Sequence, residues 1–230
     1  MTPGANAHAA GSACLAMTLA GVAGFVDAVG ATLLGGLFVS FMSGNTTTAG
    51  QSLGQGGWAR ALHAGLPVPL YVLGAVCGTL LLGQAGRRAR PLAFLVTALF
   101  LSLFGLLAHA STEAEWKQGP VATSLLVFPM GVMNATLRSV GRASVGLTYI
   151  TGSLSSFAET LAGFLAGQAG PGDRRKLRLY GGLWLSFFLG AALGGLTVLH
   201  WSARAVAVPA LLLLVLAAVT LRGEPLANDR

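Results

Sequence analysis

Apolar residues fall in long unbroken blocks along this chain. Residues 13–35, 66–86, 91–109, 120–139, 178–200 and 204–222 are each near 20 residues long and carry almost no charge. A hydrocarbon core about 30 Å thick is crossed by ~20 helical residues, so each block predicts a membrane-spanning helix. Two further stretches, 37–54 and 146–168, start apolar and then turn rich in Ser, Thr and Gly. They predict broken or re-entrant helices, one in each half of the chain.

Composition excludes the alternatives. Of 230 residues, 54% are hydrophobic and 9% charged, against about 25% charged in a soluble domain. Mean hydropathy is +0.72. Too few charges exist to cover a water-soluble surface or to keep the chain disordered. The expected fold is therefore all-α, a polytopic membrane helix bundle forming a single membrane domain over residues 1–230. The first apolar run carries Asp27, with no basic segment before it and no cleavage site behind it, so it is expected to be a retained span. Cys14 and Cys77 lie in apolar stretches without metal-ligand spacing and are expected to be small buried hydrophobes.

The net charge of +7 is explained by topology. With six spans, one side holds Arg87, Arg88, Arg90, Arg138, Arg142, Arg174, Arg175, Lys176, Arg178, Arg222 and Arg230, and the other holds Arg60, Lys117 and Arg204. Counting both ambiguous segments, or only the second, as crossings weakens this bias to eight against six. The positive-inside rule thus favours six spans with both termini cytoplasmic. Trp58, Trp116, Trp201, Glu113 and Glu115 all fall on the charge-poor side. The expected partner is the lipid bilayer, with a small solute or a second copy of the chain as further partners. Nucleic acid is not expected, and no cofactor is implied.

The chain also reads as two halves, about 1–110 and 119–230. Residues 38–54 align with 146–162: Ser43 with Thr151, Gly44 with Gly152, Asn45 with Ser153 and Gln51 with Glu159. Gly24–Ala28 aligns with Gly131–Ala135, placing Asp27 opposite Asn134, and Gly74–Gly78 aligns with Gly190–Gly194. Three spans per half is an odd number, so the halves are expected to be inverted repeats, each of three spans plus one broken helix.

Four segments carry a family resemblance: Gly24-Phe25-Val26-Asp27-Ala28, residues 38–45 (FVSFMSGN), residues 130–138 (MGVMNATLR) and Thr151-Gly152-Ser153. In order, they resemble the marker motifs of the YoaK-like family of small bacterial inner-membrane proteins, a domain of unknown function. The resemblance spans nearly the whole chain. Relatives often have Thr-Gly-Asn where this chain has Thr-Gly-Ser. It implies a multi-pass protein of the bacterial inner (plasma) membrane and brings no activity with it.

Several polar residues are candidates for chemistry. Asp27 is the one acid in the first span, and an intramembrane carboxylate is costly unless paired or wet. It is either a functional group or a helix-to-helix partner for Asn134 or Arg138. Glu159 stands three residues after Ser156, at capping-box spacing, which reads equally as a helix-start cap or a transport residue. Each half has an acid where the other has an amide, Asp27 against Asn134 and Glu159 against Gln51, which suggests a shared polar centre. Ser43-Gly44-Asn45 and Thr151-Gly152-Ser153 are expected to break their helices, with Asn45 or Ser153 capping the helix after the break. Broken helices at matching positions of two repeats point to a transporter site whose helix N-termini favour anions. Arg138 either snorkels to the interface or reaches an anion, whereas Arg142 is expected to snorkel. Gly74/Gly78, Gly163/Gly167 and Gly190/Gly194 are expected to be packing positions, within the fold or between subunits. His63, His109 and His200 are expected at the charge-poor face, with no ligand-like spacing.

An enzyme is not expected. A serine protease would need a Gly before Phe41-Met42-Ser43-Gly44 can read as Gly-x-Ser-Gly, and no His lies mid-span to act as base. A small secondary transporter or permease for a small anion or polar solute, coupled to protons through Asp27 or Glu159, is the expected function. The alternative is a non-catalytic membrane factor that binds another membrane protein or lipid.

Overall fold

The computed structural model of the chain describes residues 3–111, 119–138 and 150–222. These residues form nine α-helices and no strand. The helices are α1 (Pro3–Leu33), α2 (Met42–Gly54), α3 (Trp58–Gly65), α4 (Pro67–Ala85), α5 (Ala89–Ala110), α6 (Pro120–Arg138), α7 (Ile150–Leu165), α8 (Asp173–Trp201) and α9 (Ala207–Arg222). All six apolar blocks are helical. Length and composition suit Ala10–Leu33, Trp58–Ala85, Ala89–Ala110 and the continuous stretch Asp173–Arg222 to a membrane crossing, with Pro120–Thr136 a shorter apolar helix. The 50 residues of Asp173–Arg222 would extend about 75 Å as one rod, over twice the hydrocarbon thickness. They are broken where Ser202 takes a positive φ of 48° and a short 3-10 turn, Ser202–Val206, leads into α9.

Local sequence explains where the helices begin and end. Proline opens α4 and α6, where its missing N–H costs nothing. Gly35 and Gly36 close α1 with φ of 68° and 89°. The amide of Gly36 donates to the Ala31 carbonyl at 3.0 Å, a six-residue closure that glycine adopts without strain. Inside α6, the backbone near Pro129 gains a neighbour, because the Thr97 hydroxyl reaches the Pro129 carbonyl at 3.3 Å.

Glycine sets the two tightest helix pairs. Along α1 and α8, Gly182 meets Met17, Gly190 meets Gly21, and Gly194 meets Phe25. The numbers rise together, so these helices run parallel. A side chain on Gly190 or Gly24 would strike a backbone carbonyl of the facing helix. Along α4 and α6, Tyr71 faces Gly131, Gly74 faces Phe128, and Gly78 faces Val132 and Ala135, again a parallel pair. A Cβ on Gly78 would sit 2.7 Å from the Val132 carbonyl oxygen. Without a hydrophobic driving force between lipid-bathed helices, such close backbone approach is what gives van der Waals packing its strength. The third helix pair is α5 with α9. Gly105 lies against Val206, and Arg204 bonds His109 at the end of α5.

One burial expectation is corrected and one packing expectation is narrowed. Gly163 and Gly167 meet nothing within 4 Å among the described residues, which leaves them no packing role within that part of the fold, and Gly167 closes α7 with φ 68°. Cys14 and Cys77 are exposed on the outside of their helices. Apolar character does not report burial in a bundle whose outer face meets lipid.

Gly190→Leu is expected to cost about 3 kcal/mol or more, since the opposing atoms are backbone and cannot repack. Gly163→Ala, in open space, is expected to be neutral or stabilising by a few tenths of a kcal/mol up to about 1. Thermal unfolding of both variants in detergent checks the contrast.

Candidate functional site

Between α1 and α2, the segment 34–41 is non-helical, yet Leu34, Leu37, Val39 and Ser40 within it are buried. It folds back along α1 to Asp27, six residues or about 9 Å before the helix end. Gly30 makes room, since a Cβ there would lie 2.6 Å from Val39 Cγ1.

Irregular backbone at this depth must find partners within the protein. Asp27 supplies them. Its Oδ1 accepts the amides of Val39 at 2.8 Å and Ser40 at 2.7 Å. Its Oδ2 accepts the Ser40 hydroxyl. Asp27 is 4% exposed, and no basic side chain is among its partners within the described residues. Three donors converge on an acceptor-only group, an arrangement suited to a carboxylate. Asn45, also buried, completes the clasp from α2. Its Oδ1 accepts the Phe38 amide at 3.0 Å, and its Nδ2 donates to the Phe38 carbonyl at 2.7 Å. The Phe38 and Phe41 rings meet edge to face at 5.4 Å over Gly44, where a Cβ would collide with both.

Several expectations change here. Ser43-Gly44-Asn45 and Thr151-Gly152-Ser153 do not break helices but form the first turns of α2 and α7. The interruption in the first half lies just upstream, at 34–41. Within the helical Ser/Thr-rich stretch, the hydroxyls of Thr46, Thr47 and Thr48 are satisfied by the carbonyls four residues back at 2.9 to 3.0 Å. Asn45 reaches back to Phe38 and caps nothing; the residue before α2, Phe41, makes no capping bond. Glu159 is exposed in mid-helix, since α7 begins at Ile150, so Ser156 and Glu159 form no capping box. Asp27 bonds to Val39 and Ser40, not to Asn134.

The other candidates scatter. Ser43, Gln51, Thr151 and Glu159 are exposed; Asn134 and Ser153 are buried, and Gly152 is half-buried. Asn134 lines a groove between α4 and α6, and its Oδ1 makes no hydrogen bond among the described residues. The side chain of Arg138, Arg142, Trp116, Glu113, Glu115 and residues 146–149 of the second ambiguous segment lie outside the described residues. His63 Nε2 lies 3.2 Å from the Leu34 carbonyl, fastening α3 to the end of α1. His109 pairs with Arg204 at 2.7 Å. No three His, Cys, Asp or Glu gather to hold a metal among the described residues. Ser40 and Gly30 were not singled out from sequence. Ser40 sits inside the FVSFMSGN motif, and only the fold shows that its amide and hydroxyl both serve Asp27.

An all-helical bundle with four helices long and apolar enough to cross a membrane among the described residues is that of a multi-pass integral membrane protein. The chain belongs to the family described as Protein of unknown function (DUF1275), whose model matches residues 15–219. It is 35% identical over 198 residues to the UPF0700 transmembrane protein RA0705 of Rhizobium meliloti (strain 1021), covering 86% of this chain and 80% of that protein. It is 28% identical over 145 residues to the UPF0700 transmembrane protein YoaK of Bacillus subtilis (strain 168), covering 62% of this chain and 64% of that one. No solved structure matches.

Asp27→Leu leaves the Val39 and Ser40 amides buried without acceptors and is expected to cost about 3–5 kcal/mol. Asp27→Asn retains one acceptor oxygen and is expected to cost less than half of that. Ser40→Ala, which removes only the hydroxyl, is expected to cost about 1 kcal/mol. Unfolding midpoints of the three purified variants give the ranking.

Proposed function

We propose that the protein is a small secondary transporter or permease of the bacterial inner membrane, both termini cytoplasmic, moving a small anion or polar solute. The observation that carries the reading is the segment 34–41, non-helical backbone folded back to the level of Asp27 and held there by Asp27 and Asn45. Such backbone is tolerated where it is buried or lines a cavity, and it is the usual construction of transporter sites. The packing supports an inverted repeat as well. A two-fold axis in the membrane plane that exchanges α1 with α6 and α4 with α8 would turn the α1–α8 pair into α6–α4, and both are close parallel pairs through glycine.

In this reading Asp27 also couples transport to protons. An ionised Asp27 accepts from Val39 and Ser40. Adding a proton to Oδ2 makes that oxygen a donor and weakens acceptance at Oδ1. Protonation would loosen 34–41 and the start of α2, which carries the exposed Ser43 and Thr46, and so open the space beneath them. Ionisation would close it. The chemistry is binding and proton exchange, with no catalytic residue and no cofactor.

A second reading has its own observation: both oxygens of Asp27 are occupied by donors of this chain, as in a purely structural anchor. That arrangement favours the alternative function, a non-catalytic membrane factor for another membrane protein or lipid.

Thiol access separates the two. In a chain lacking Cys14 and Cys77, single cysteines at the exposed positions Ser43 and Thr151 are expected to react with membrane-impermeant maleimide. Access from both sides of right-side-out and inverted vesicles supports alternating access. Access from one side only, unchanged between pH 5 and 8, favours the structural factor. Purified protein in proteoliposomes is further expected to carry solute-dependent current under a proton gradient. Asp27→Asn should remove its pH dependence, and current-free vesicles across a panel of anions and polar solutes would overturn the transport reading.

A further inference from the structure

The first turns of α8 gather Arg174, Arg175, Lys176 and Arg178, and the one acid beside them is Asp173. That acid is already engaged. Its Oδ1 accepts from Lys176 Nζ at 2.9 Å, and its Oδ2 accepts the Gly170 amide at 2.8 Å. Arg174, Arg175 and Arg178 are exposed and form no ion pair among the described residues. Three guanidiniums are thus left without a counter-charge there, within about a turn and a half of helix.

Two of them stand above an apolar wall. Positions 174, 178, 185 and 188 follow at steps of four, seven and three, which return to one face of a helix. Arg174 and Arg178 are therefore in line with Leu185 and Phe188, which are 48% and 53% exposed. Between the charged and apolar parts, Phe157 of α7 lies over Gly181, where a Cβ would sit 3.1 Å from the ring. The line is thus a seam between α7 and α8. Trp184 stacks on Phe188 at 5.6 Å and 7°, which flattens its lower wall. Arg178 and Phe188 are about 15 Å apart along the axis, the reach of an acyl chain below its headgroup. Guanidinium forks match phosphate oxygens. A soluble anion would answer the arginines and leave the apolar wall unused. A zwitterionic phospholipid would cover the wall, but its own ammonium offsets its phosphate. A phospholipid with net negative charge answers both. Independently of any transport activity, we propose that the α7–α8 seam binds an anionic phospholipid, its phosphate held by Arg174 and Arg178 and an acyl chain laid along Leu185 and Phe188.

Trp184 reports occupancy, because bromine on a lipid chain quenches a tryptophan it touches. The full chain with Trp184 as its only tryptophan is reconstituted in phosphatidylcholine, and brominated phosphatidylglycerol or brominated phosphatidylcholine is titrated in. Two arginines at headgroup level predict half-quenching at an about tenfold lower fraction of the anionic lipid. Arg174→Gln with Arg178→Gln should bring the two lipids within about twofold of each other, with unchanged Trp184 emission in unbrominated lipid showing an intact fold. Arg174→Lys with Arg178→Lys keeps the charge without the fork and should retain about a threefold preference. Arg88 and Arg222 are exposed at the same end of the bundle, on the α5–α9 pair, and Arg88→Gln with Arg222→Gln should leave the preference as it was. Equal quenching of the native sequence by both lipids overturns the proposal. So does a preference lost as fully with Arg88 and Arg222, since attraction then belongs to the whole charged end. No quenching by either lipid would mean that protein covers the seam, and displacement of the brominated lipid by glycerol 3-phosphate would assign the arginines to a soluble anion; each overturns it equally.

Discussion

A backbone amide inside hydrocarbon must be hydrogen-bonded by the protein, and the described fold has a place at 34–41 where a helix cannot do it. Between α1 and α2 the chain leaves helical geometry and folds back into the bundle, so the amides at 38, 39 and 40 lose their helical acceptors. Asp27 and Asn45 take over the role. The carboxylate reads two successive amides and a hydroxyl, and the amide side chain pairs with Phe38 as another strand would. Gly30 and Gly44 are glycines because the returning chain and its two phenylalanines occupy the space of a side chain.

The remainder of the bundle is held differently. The α1–α8 and α4–α6 pairs rely on glycines that let carbonyl and helix backbone approach closely, over a core of Leu, Val, Phe and Met side chains. The first helix therefore does two jobs with two faces. Gly21, Gly24 and Phe25 dock α8, while Asp27 and Gly30 hold the re-entrant segment. Any movement of 34–41 is thereby referred to the close-packed α1–α8 pair.

Much of this was legible in the sequence. Blocks of ~20 apolar residues located every long helix, because hydropathy over a whole block is insensitive to local detail. Asp27 announced itself as an acid in an otherwise uncharged span, and Gly74, Gly78, Gly190 and Gly194 as close-packing positions. The finer inferences failed for identifiable reasons. Ser43-Gly44-Asn45 looked like a break because Ser, Gly and Asn are poor formers of helix interiors, yet the triplet falls in the opening turn of α2, where such residues are at home. Ser156 and Glu159 matched a capping box by spacing alone, while the helix had already started six residues earlier. Cys14 and Cys77 were expected inside because apolar blocks bury residues in soluble proteins, whereas here the outer face of each helix meets lipid. The partners of Asp27 were illegible, since a hydrogen bond to a backbone amide leaves no trace in side-chain identity.

The anchoring role of Asp27 is most directly tested by amide hydrogen exchange on the purified protein and on Asp27→Leu. In the native chain the amides of residues 38–40 should exchange slowly, protected by Asp27 and Asn45. In the variant that protection should collapse over residues 34–45 while α4, α5 and α6 stay as slow as before. Unchanged protection of 34–45 in Asp27→Leu would contradict the anchor and with it the reading of this segment as the poised element of the fold.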